Sequence, residues 1–252
     1  MIKYIMIVIC LLIITTPYLS AGTRDPNVPD SKYLDFASKF VHTGTLTGNY
    51  DNDNNKFFGA SAVAIDDHHI LTAAHVVNKA SACYFTIKGN KYCISEIIIH
   101  EDFNDNSFGV CDIAIGYSEE PFGLDFYPKL YTDNDEVGKL CSISGYGFTG
   151  TFNTGANTID GKKRAGSNTI DRILENLLIC SPSNKNDSTR TTLEFLIASG
   201  DSGGPLYING ELAGINSCVM AEDKNPNSSY TDESGHTRIS KFINWINKNK
   251  KR

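Results

Sequence analysis

Short runs of β-branched and aromatic residues, separated by Gly, Asn and Asp, dominate the chain from about Phe58 onward. Runs of this length and composition predict β-strands rather than helices. The predicted strands are Phe58 to Ile65, His69 to Thr72, Cys83 to Ile87, Tyr92 to Ile99, Asp112 to Gly116, Leu140 to Ser144, Thr191 to Ile197, Pro205 to Ile208 and Leu212 to Ser217. Many short strands at this spacing predict an all-β sandwich or barrels.

Only the C-terminal end has a convincing helical pattern. An apolar stripe there predicts a helix over about residues 240–250, with Ser240 as its N-cap. The stripe consists of Phe242, Ile243, Trp245 and Ile246. Because this stripe needs an apolar partner, we expect the helix to dock on the β core.

A polar, proline-containing stretch between Tyr117 and Val137 predicts a connection between two halves of the fold. The first half would cover about residues 40–125 and the second about 136–238. Four further polar segments are predicted to be exposed loops: Gly48 to Lys56, Thr149 to Ser167, Ser181 to Thr191 and Ala221 to Ser234. Loops around a β scaffold often determine specificity.

The first 21 residues have the layout of a secretory signal peptide. Lys3 precedes an apolar run, Pro17 ends it, and Ser20 and Ala21 are small residues before Gly22. The alternative is an uncleaved membrane anchor, but the run is shorter than the roughly 20 residues a spanning helix needs. We therefore expect export to the periplasm or the exterior, with no stable membrane insertion after cleavage.

Composition and charge narrow the class of protein. The 252 residues are 40% hydrophobic and 21% charged, which is typical of a globular chain. The formal net charge is -6, and the basic residues are scattered apart from a short cluster at the C-terminus. Nucleic acid is therefore not expected as a partner.

Removal of the signal peptide would discard Cys10 and leave six cysteines, an even number that permits disulfides in an exported protein. Six cysteines allow 15 pairings, among which the sequence does not choose. A three-residue turn over Ile87–Gly89 would place Cys83 opposite Cys93 on a hairpin, which favours that pair. No CxxC spacing occurs, so no metal site is expected.

The segment Gly200 to Pro205 is the strongest chemical signal in the chain. A nucleophilic serine needs an exposed hydroxyl on a tight turn, with backbone N–H groups directed at the developing oxyanion. Glycines around Ser202 permit both, and the N–H groups of Gly200 and Ser202 are the natural oxyanion-hole pair. Taken alone, the segment could equally be a glycine-rich hairpin connector.

Two other segments supply the partners that such a serine requires. His75 follows the predicted strand His69 to Thr72, and an imidazole can accept the serine proton near neutral pH. Asp112 enters an apolar strand, and a buried carboxylate needs a donor such as a histidine N–H. Each residue alone would more often be structural.

Together, Thr72 to His75, Asp112 to Ile115 and Gly200 to Pro205 resemble the three signature segments of the trypsin/chymotrypsin family, in the same order. Ser144 to Gly147 and Gly214 to Ser217 are further similar segments; the second resembles the strand beside the substrate backbone. The resemblance implies two six-stranded antiparallel β barrels with a C-terminal helix, and a monomeric serine endopeptidase. It also implies polypeptide substrates, protein inhibitors as possible partners and no cofactor.

The chain departs from the family pattern in the specificity pocket. Leu196 occupies the position that lines the pocket floor, where an aspartate would select Lys or Arg. An apolar or small side chain before the cut is therefore expected, although Glu194 could introduce a charge if the turn differed. Cys218 stands where the family has a large aromatic residue, and Val219 where a glycine often keeps the pocket open.

Activation also differs, because no Arg-Ile-Val-Gly-Gly-like segment occurs between Gly22 and Lys56. In the family a new N-terminal ammonium pairs with the aspartate before the serine, here Asp201. Two possibilities stay open: Gly22 serves as that cation after signal removal, or Asp201 has another partner. An inactive binding homologue and an esterase are the rival functions; an α/β-hydrolase esterase would have its histidine last in the chain.

Overall fold

A computed structural model of the chain describes residues 21–50, 56–105, 109–183, 187–221 and 223–250. The predicted signal peptide up to Ser20 therefore lies outside the described residues. Among the helices that are described, none is long and apolar enough to cross a membrane.

The described residues of the N-terminal half form eight strands and two short helices. The strands are β1 (Thr23–Arg24), β2 (Thr43–Tyr50), β3 (Phe57–Ala64), β4 (His69–Thr72), β5 (Ala80–Ile87), β6 (Asn90–Ile94), β7 (Glu96–Ile99) and β8 (Ala114–Tyr117). The helices are α1 (Asp30–Ala37) and α2 (Ala74–Val77).

In the C-terminal half, the part of the chain that the structure describes forms ten strands and the terminal helix. The strands are β9 (Leu140–Gly145), β10 (Thr149–Thr151), β11 (Gly155–Thr158), β12 (Arg164–Thr169), β13 (Arg172–Leu174), β14 (Leu177–Cys180), β15 (Phe195–Leu196), β16 (Pro205–Ile208), β17 (Glu211–Ala221) and β18 (Asp232–Arg238). A 3₁₀ turn (Ile239–Lys241) leads into α3 (Ile243–Asn249).

Two seven-stranded sheets make up most of the fold. The first has the order β6-β5-β2-β3-β4-β8-β7 and the second β12-β9-β16-β17-β18-β14-β13, and every pairing within them is antiparallel. Both sheets are curled. A four-stranded sheet, β11-β10-β1-β15, lies beside them. The predicted all-β class is confirmed, with one more strand in each large sheet than the predicted six.

Several strands follow the sequence pattern closely, whereas others do not. β4 and β16 have the predicted bounds, but the predicted strand Tyr92 to Ile99 divides at Ser95 into β6 and β7. The predicted strand Thr191 to Ile197 shrinks to the two residues of β15. The predicted loop Thr149 to Ser167 contains β10, β11 and most of β12. β12 was not predicted because its residues are small or polar, although most of them are buried.

The terminal helix docks as expected, but its start is different. Trp245 and Ile246 are buried, and the indole Nε1 of Trp245 donates to Glu101 Oε2 at 2.9 Å. Ser240 is not the N-cap, which was a wrong prediction. Its hydroxyl instead donates to Glu136 Oε1 at 2.9 Å, because the chain first makes a 3₁₀ turn.

The predicted pairing of Cys83 with Cys93 is wrong. The hairpin loop has two residues rather than three, since Ile87 pairs with Asn90. This register places Cys83 opposite Ile94 and Cys93 opposite Tyr84. Adjacent residues of a strand point to opposite faces of the sheet, so the buried Cys83 thiol and the exposed Cys93 thiol face away from each other.

Candidate active site

Strand pairing in the first sheet brings two of the predicted site residues together. β4 and β8 are antiparallel, with Thr72 opposite Ala114. His75 lies three residues beyond Thr72, on α2, and Asp112 lies two residues before Ala114. The register therefore places the imidazole beside the carboxylate, with His75 Nδ1 2.8 Å from Asp112 Oδ2.

The third residue comes from the second sheet. Ser202 lies on the turn before β16, and its Oγ is 3.0 Å from His75 Nε2. The three side chains thus form a continuous chain of hydrogen bonds from a buried carboxylate to a serine hydroxyl. This arrangement can activate the hydroxyl as a nucleophile, because the imidazole can accept its proton.

Asp112 is 2% exposed and fully occupied by donors. Oδ1 accepts the backbone N–H of His75 at 2.9 Å, and Oδ2 accepts the hydroxyl of Ser217 at 2.6 Å in addition to the imidazole. Burial raises the pKa of Asp112, but the hydrogen bonds from His75 and Ser217 and the charge of His75 outweigh it and lower the pKa. The carboxylate is therefore ionised, which orients His75 with its Nδ1 proton toward Asp112.

The turn that carries Ser202 is held against both sheets. The backbone carbonyl of Ser202 accepts the N–H of Ser61 at 2.9 Å, and Gly203 N–H donates to Asn216 at 2.8 Å. Gly203 has φ +83, and a Cβ there would lie 2.0 Å from Thr72 Oγ1. Only glycine fits this position, because both the backbone conformation and the neighbouring strand exclude a side chain.

Gly200, which has φ +89, shapes the other side of the same turn. Within the described part of the chain, neither its N–H nor that of Ser202 donates a hydrogen bond to another group. Buried or turn N–H groups are usually satisfied, so a free pair beside a nucleophile is available to a developing oxyanion. The two predicted oxyanion-hole donors therefore lie on the Ser202 turn with free N–H groups.

Asp201 points away from the cleft into a fully buried site. Its carboxylate accepts three backbone N–H groups, from Gly147 at 2.7 Å, Ala198 at 2.8 Å and Gly22 at 2.8 Å. Burial raises the pKa of Asp201 to about 7, although these hydrogen bonds oppose the rise. With Ala21 attached, this carboxylate therefore faces the neutral backbone amide of Gly22.

A cleft of about 330 Å³ opens beside the three residues. Cys218 and Val219 line it, together with Ser217. Burial raises the pKa of the Cys218 thiol to about 11, so the thiol is neutral at pH 7. The remaining lining residues are His75, Phe103, Asn104, Asp105, Gly109, Asp112, Ile197, Ala198, Ser199, Ser202 and Pro226.

Leu196 does not line this cleft, contrary to the prediction. It is fully buried in β15, where it pairs with Thr23 of β1, and the cleft wall begins one residue later at Ile197. Glu194 does not enter the cleft either. Its buried carboxylate accepts the N–H groups of Ser183 and Thr191, at 3.0 and 2.6 Å.

Sequence reasoning missed the cleft wall formed by Phe103, Asn104 and Asp105, because an irregular loop has no periodicity. The sequence predicted Ser217 as part of the strand beside the substrate backbone. It did not predict that the Ser217 hydroxyl donates a hydrogen bond to Asp112.

One group of side chains outside the three catalytic candidates could hold a metal ion. His100, Asp102 and Cys111 offer donor atoms that lie within 4.8 Å of one another. Asp102 is exposed, and its backbone N–H donates to His100 Nδ1 at 3.2 Å. Exposed acidic groups such as Asp102 are common without any metal.

Comparisons with known proteins agree with the fold and the site. The sequence model of the trypsin family matches residues 42–246, so the chain belongs to the trypsin family of serine proteases. It is 28% identical to a chymotrypsin of Phaedon cochleariae, over 72% of this chain and 68% of the relative. It is 29% identical to mast cell protease 8 of Mus musculus, over 79% and 82%.

The solved structure of HL collagenase resembles this chain with a TM-score of 0.68. The match covers 83% of this chain and 93% of the collagenase, at 19% sequence identity. The predicted two-barrel architecture of the trypsin/chymotrypsin family is thereby confirmed.

Proposed function

We propose that this chain is an exported serine endopeptidase that cleaves polypeptides through an acyl-enzyme on Ser202. The observation that carries the proposal is the continuous hydrogen-bonded chain Asp112–His75–Ser202 at the edge of an open cleft. No step of this chemistry needs a cofactor, because base, nucleophile and oxyanion donors are all protein groups.

In the proposed reaction, His75 Nε2 accepts the Ser202 proton as Oγ attacks the scissile carbonyl carbon. The N–H groups of Gly200 and Ser202 stabilise the oxyanion of the tetrahedral intermediate. His75 then donates the proton to the leaving amine, and the acyl group stays on Ser202. Water, deprotonated by His75, hydrolyses the ester and restores the enzyme.

The cleft supports a preference for an apolar or small side chain before the cut. Ile197, Ala198 and Val219 form apolar walls of the cleft. The carboxylate of Glu194, which the sequence offered as a possible charge in the pocket, lies outside the cleft and accepts backbone N–H groups there. A Lys or Arg side chain would meet no buried counter-charge from these residues. Digestion of a peptide library should therefore produce cuts after apolar or small residues, and cuts confined to Lys and Arg would contradict this preference.

The contact between Gly22 and Asp201 supports activation by signal-peptide removal. Cleavage after Ala21 would convert the Gly22 amide, already 2.8 Å from Asp201 Oδ2, into an ammonium at the same place. A buried carboxylate is far more stable beside a cation, so the Ser202 turn would be fixed in its active conformation. No further cut would be required.

A fluorophosphonate probe tests the catalytic proposal directly. The chain 22–252 should be labelled on Ser202, since only an activated serine reacts, while a Ser202→Ala variant should not be labelled. Failure of the wild-type chain to react would favour the inactive homologue. Labelling accompanied by hydrolysis of small esters but of no peptide would favour an esterase instead.

A further inference from the structure

Two buried thiols meet inside the second sheet. Cys141 lies on β9 and Cys180 on β14, and their Sγ atoms are 3.8 Å apart. Cys141 is 1% exposed and Cys180 is fully buried, and both belong to the apolar core of that barrel. The Cys141 thiol also lies 3.2 Å from the carbonyl oxygen of Asn168.

This proximity is produced by the curvature of the sheet. In the strand order, β16, β17 and β18 separate β9 from β14, so a flat sheet would hold the two cysteines far apart. Strands lie about 4.8 Å apart, so four steps across a flat sheet would span about 19 Å. The two sulfurs therefore meet across the interior of the curled sheet, at a place where no backbone hydrogen bonds join β9 to β14.

The other described cysteines have no comparable partner. Cys83 and Cys93 point to opposite faces of their hairpin, and Cys218 lies in a small separate cluster with Leu177 and Ile179. All six cysteines are in the thiol form in the structure. Among the described cysteines, the geometry therefore favours the pair Cys141 and Cys180.

We propose that Cys141 and Cys180 form a disulfide that ties β9 to β14 across the second barrel when the chain folds under oxidising conditions. Disulfide geometry requires the sulfurs to approach to about 2.05 Å, which rotations about the two Cα–Cβ bonds can supply. This bridge is independent of the catalytic chemistry proposed above.

The oxidant is a disulfide compound, such as glutathione disulfide or a disulfide oxidoreductase. One cysteine thiolate attacks a sulfur of the oxidant, forms a mixed disulfide and releases one reduced thiol. The second cysteine thiolate then attacks the protein sulfur, forms the Cys141–Cys180 bond and releases the second reduced thiol. Two cysteine S–H bonds are lost, and their electrons and protons end in the two thiols of the reduced oxidant.

Burial determines when this exchange happens. Both sulfurs are excluded from solvent, and burial together with the neighbouring Cys141 thiol raises the pKa of Cys180. Thiolate is the reactive form, so a folded, reduced protein would oxidise slowly. The bond therefore forms during folding, and once formed it is protected from reductants.

Peptide mapping of the wild-type chain tests the pairing without any variant. The full chain is refolded with reduced and oxidised glutathione, denatured with excess alkylating agent and digested without a reductant. The peptides of Cys141 and Cys180 should be recovered joined, about 2 Da lighter than the two free peptides together. Alkylation of both residues, or a bridge from either to another cysteine, would overturn the proposal.

Thermal unfolding of variants gives a second, independent readout. A bridge over this length of chain should raise Tm by about 10 °C relative to the reduced protein. The reduced protein for this comparison is refolded from denaturant in excess reductant, and the oxidised protein is refolded with glutathione disulfide. The Cys141→Ala/Cys180→Ala double variant should lose this Tm difference, whereas Cys83→Ala, a buried cysteine of the other barrel, should keep it. An equal loss in Cys83→Ala, or equal Tm values for the two wild-type preparations, would contradict the bridge.

Discussion

The two sides of the cleft hold their functional residues in different ways. On the side of the first sheet, His75 and Asp112 are aligned by the register of β4 and β8, two neighbouring strands. On the side of the second sheet, the Ser202 turn depends on Asp201, whose carboxylate collects N–H groups from Gly22, Gly147 and Ala198. The proposed base is thus aligned by the register of one sheet, with one hydroxyl contact from Ser217 of the other sheet, while the proposed nucleophile depends on three separate segments.

This difference indicates where control can act. Breaking the contacts of the base side would mean unfolding a core sheet, because Leu71 and Ile115 beside it are buried. The nucleophile side contains the chain's own N-terminal segment, which can change chemically when a preceding peptide is removed. We therefore expect substitutions on the base side to affect chemistry alone, and changes at Gly22 to affect both activity and stability.

The largest effect should come from removing the base. His75→Ala leaves the Ser202 hydroxyl without a proton acceptor, so kcat/KM for a peptide substrate should fall about 10⁴-fold or more. Steady-state kinetics would measure the loss. Because His75 is partly exposed on a short helix, Tm should change little, and retention of a tenth of the activity would contradict its role as the base.

The next effect concerns the N-terminus. A chain that begins at Gly22 should be about a hundredfold more active than one that keeps Ala21. A buried ion pair between the Gly22 ammonium and Asp201 contributes about 3 kcal/mol, which corresponds to a factor of this size. Kinetics on the two purified chains would measure it. Equal activity, or an inert chain 22–252 that needs an internal cut, would contradict activation by signal removal.

The same two chains should differ in the pH dependence of stability. With Ala21 retained, burial raises the pKa of Asp201 to about 7, above its value of about 3.9 in the unfolded chain. Protonation of Asp201 therefore stabilises the folded state fully below about pH 3.9, and this stabilisation is lost as the pH rises through 7. A Gly22 ammonium would lower that pKa and remove the loss. The Tm difference between the chains should therefore grow from pH 5 to pH 8, and Asp201→Asn should abolish that growth.

A smaller effect should follow from Ser217→Ala, which removes the 2.6 Å hydrogen bond to Asp112 Oδ2. Hydrogen bonds to charged groups contribute about 2 kcal/mol, so kcat should fall about thirtyfold. Ser38→Ala, at an exposed hydroxyl near the end of α1, is the matched control and should leave kcat unchanged. An equal kcat in both variants would show that the imidazole and the backbone N–H of His75 orient Asp112 sufficiently.

The smallest effect concerns the cleft wall. Val219→Gly removes an apolar side chain from the lining, so substrates with Phe before the cut should gain about tenfold in kcat/KM over those with Ala. Competition between two otherwise identical peptides would measure the ratio. An unchanged ratio would mean that Val219 does not limit the size of the bound side chain.

Local signals in the sequence were sufficient for the catalytic candidates and for most central strands. His75, Asp112 and Ser202 stand in segments whose small and apolar residues identify them before any contact is known. β4 and β16 were predicted with their observed bounds, and all four residues of each strand are buried. By contrast, β2 and β12 contain Gly, Thr, Ser and Asn, so their burial depends on neighbouring strands rather than on their own composition.

The sequence by itself determined the class of fold, the family and the identity of the three candidate catalytic residues, because each rests on residue type and local order. The tertiary structure decided the cleft wall, the hydroxyl contact of Ser217, the Gly22–Asp201 contact and the meeting of Cys141 with Cys180. These depend on strand register and on the curvature of the sheets, which bring together residues far apart in the chain. A one-residue difference in the turn after Ile87 was enough to turn Cys83 away from Cys93, while the curl of the second sheet brought the sulfurs of two other cysteines to 3.8 Å from each other.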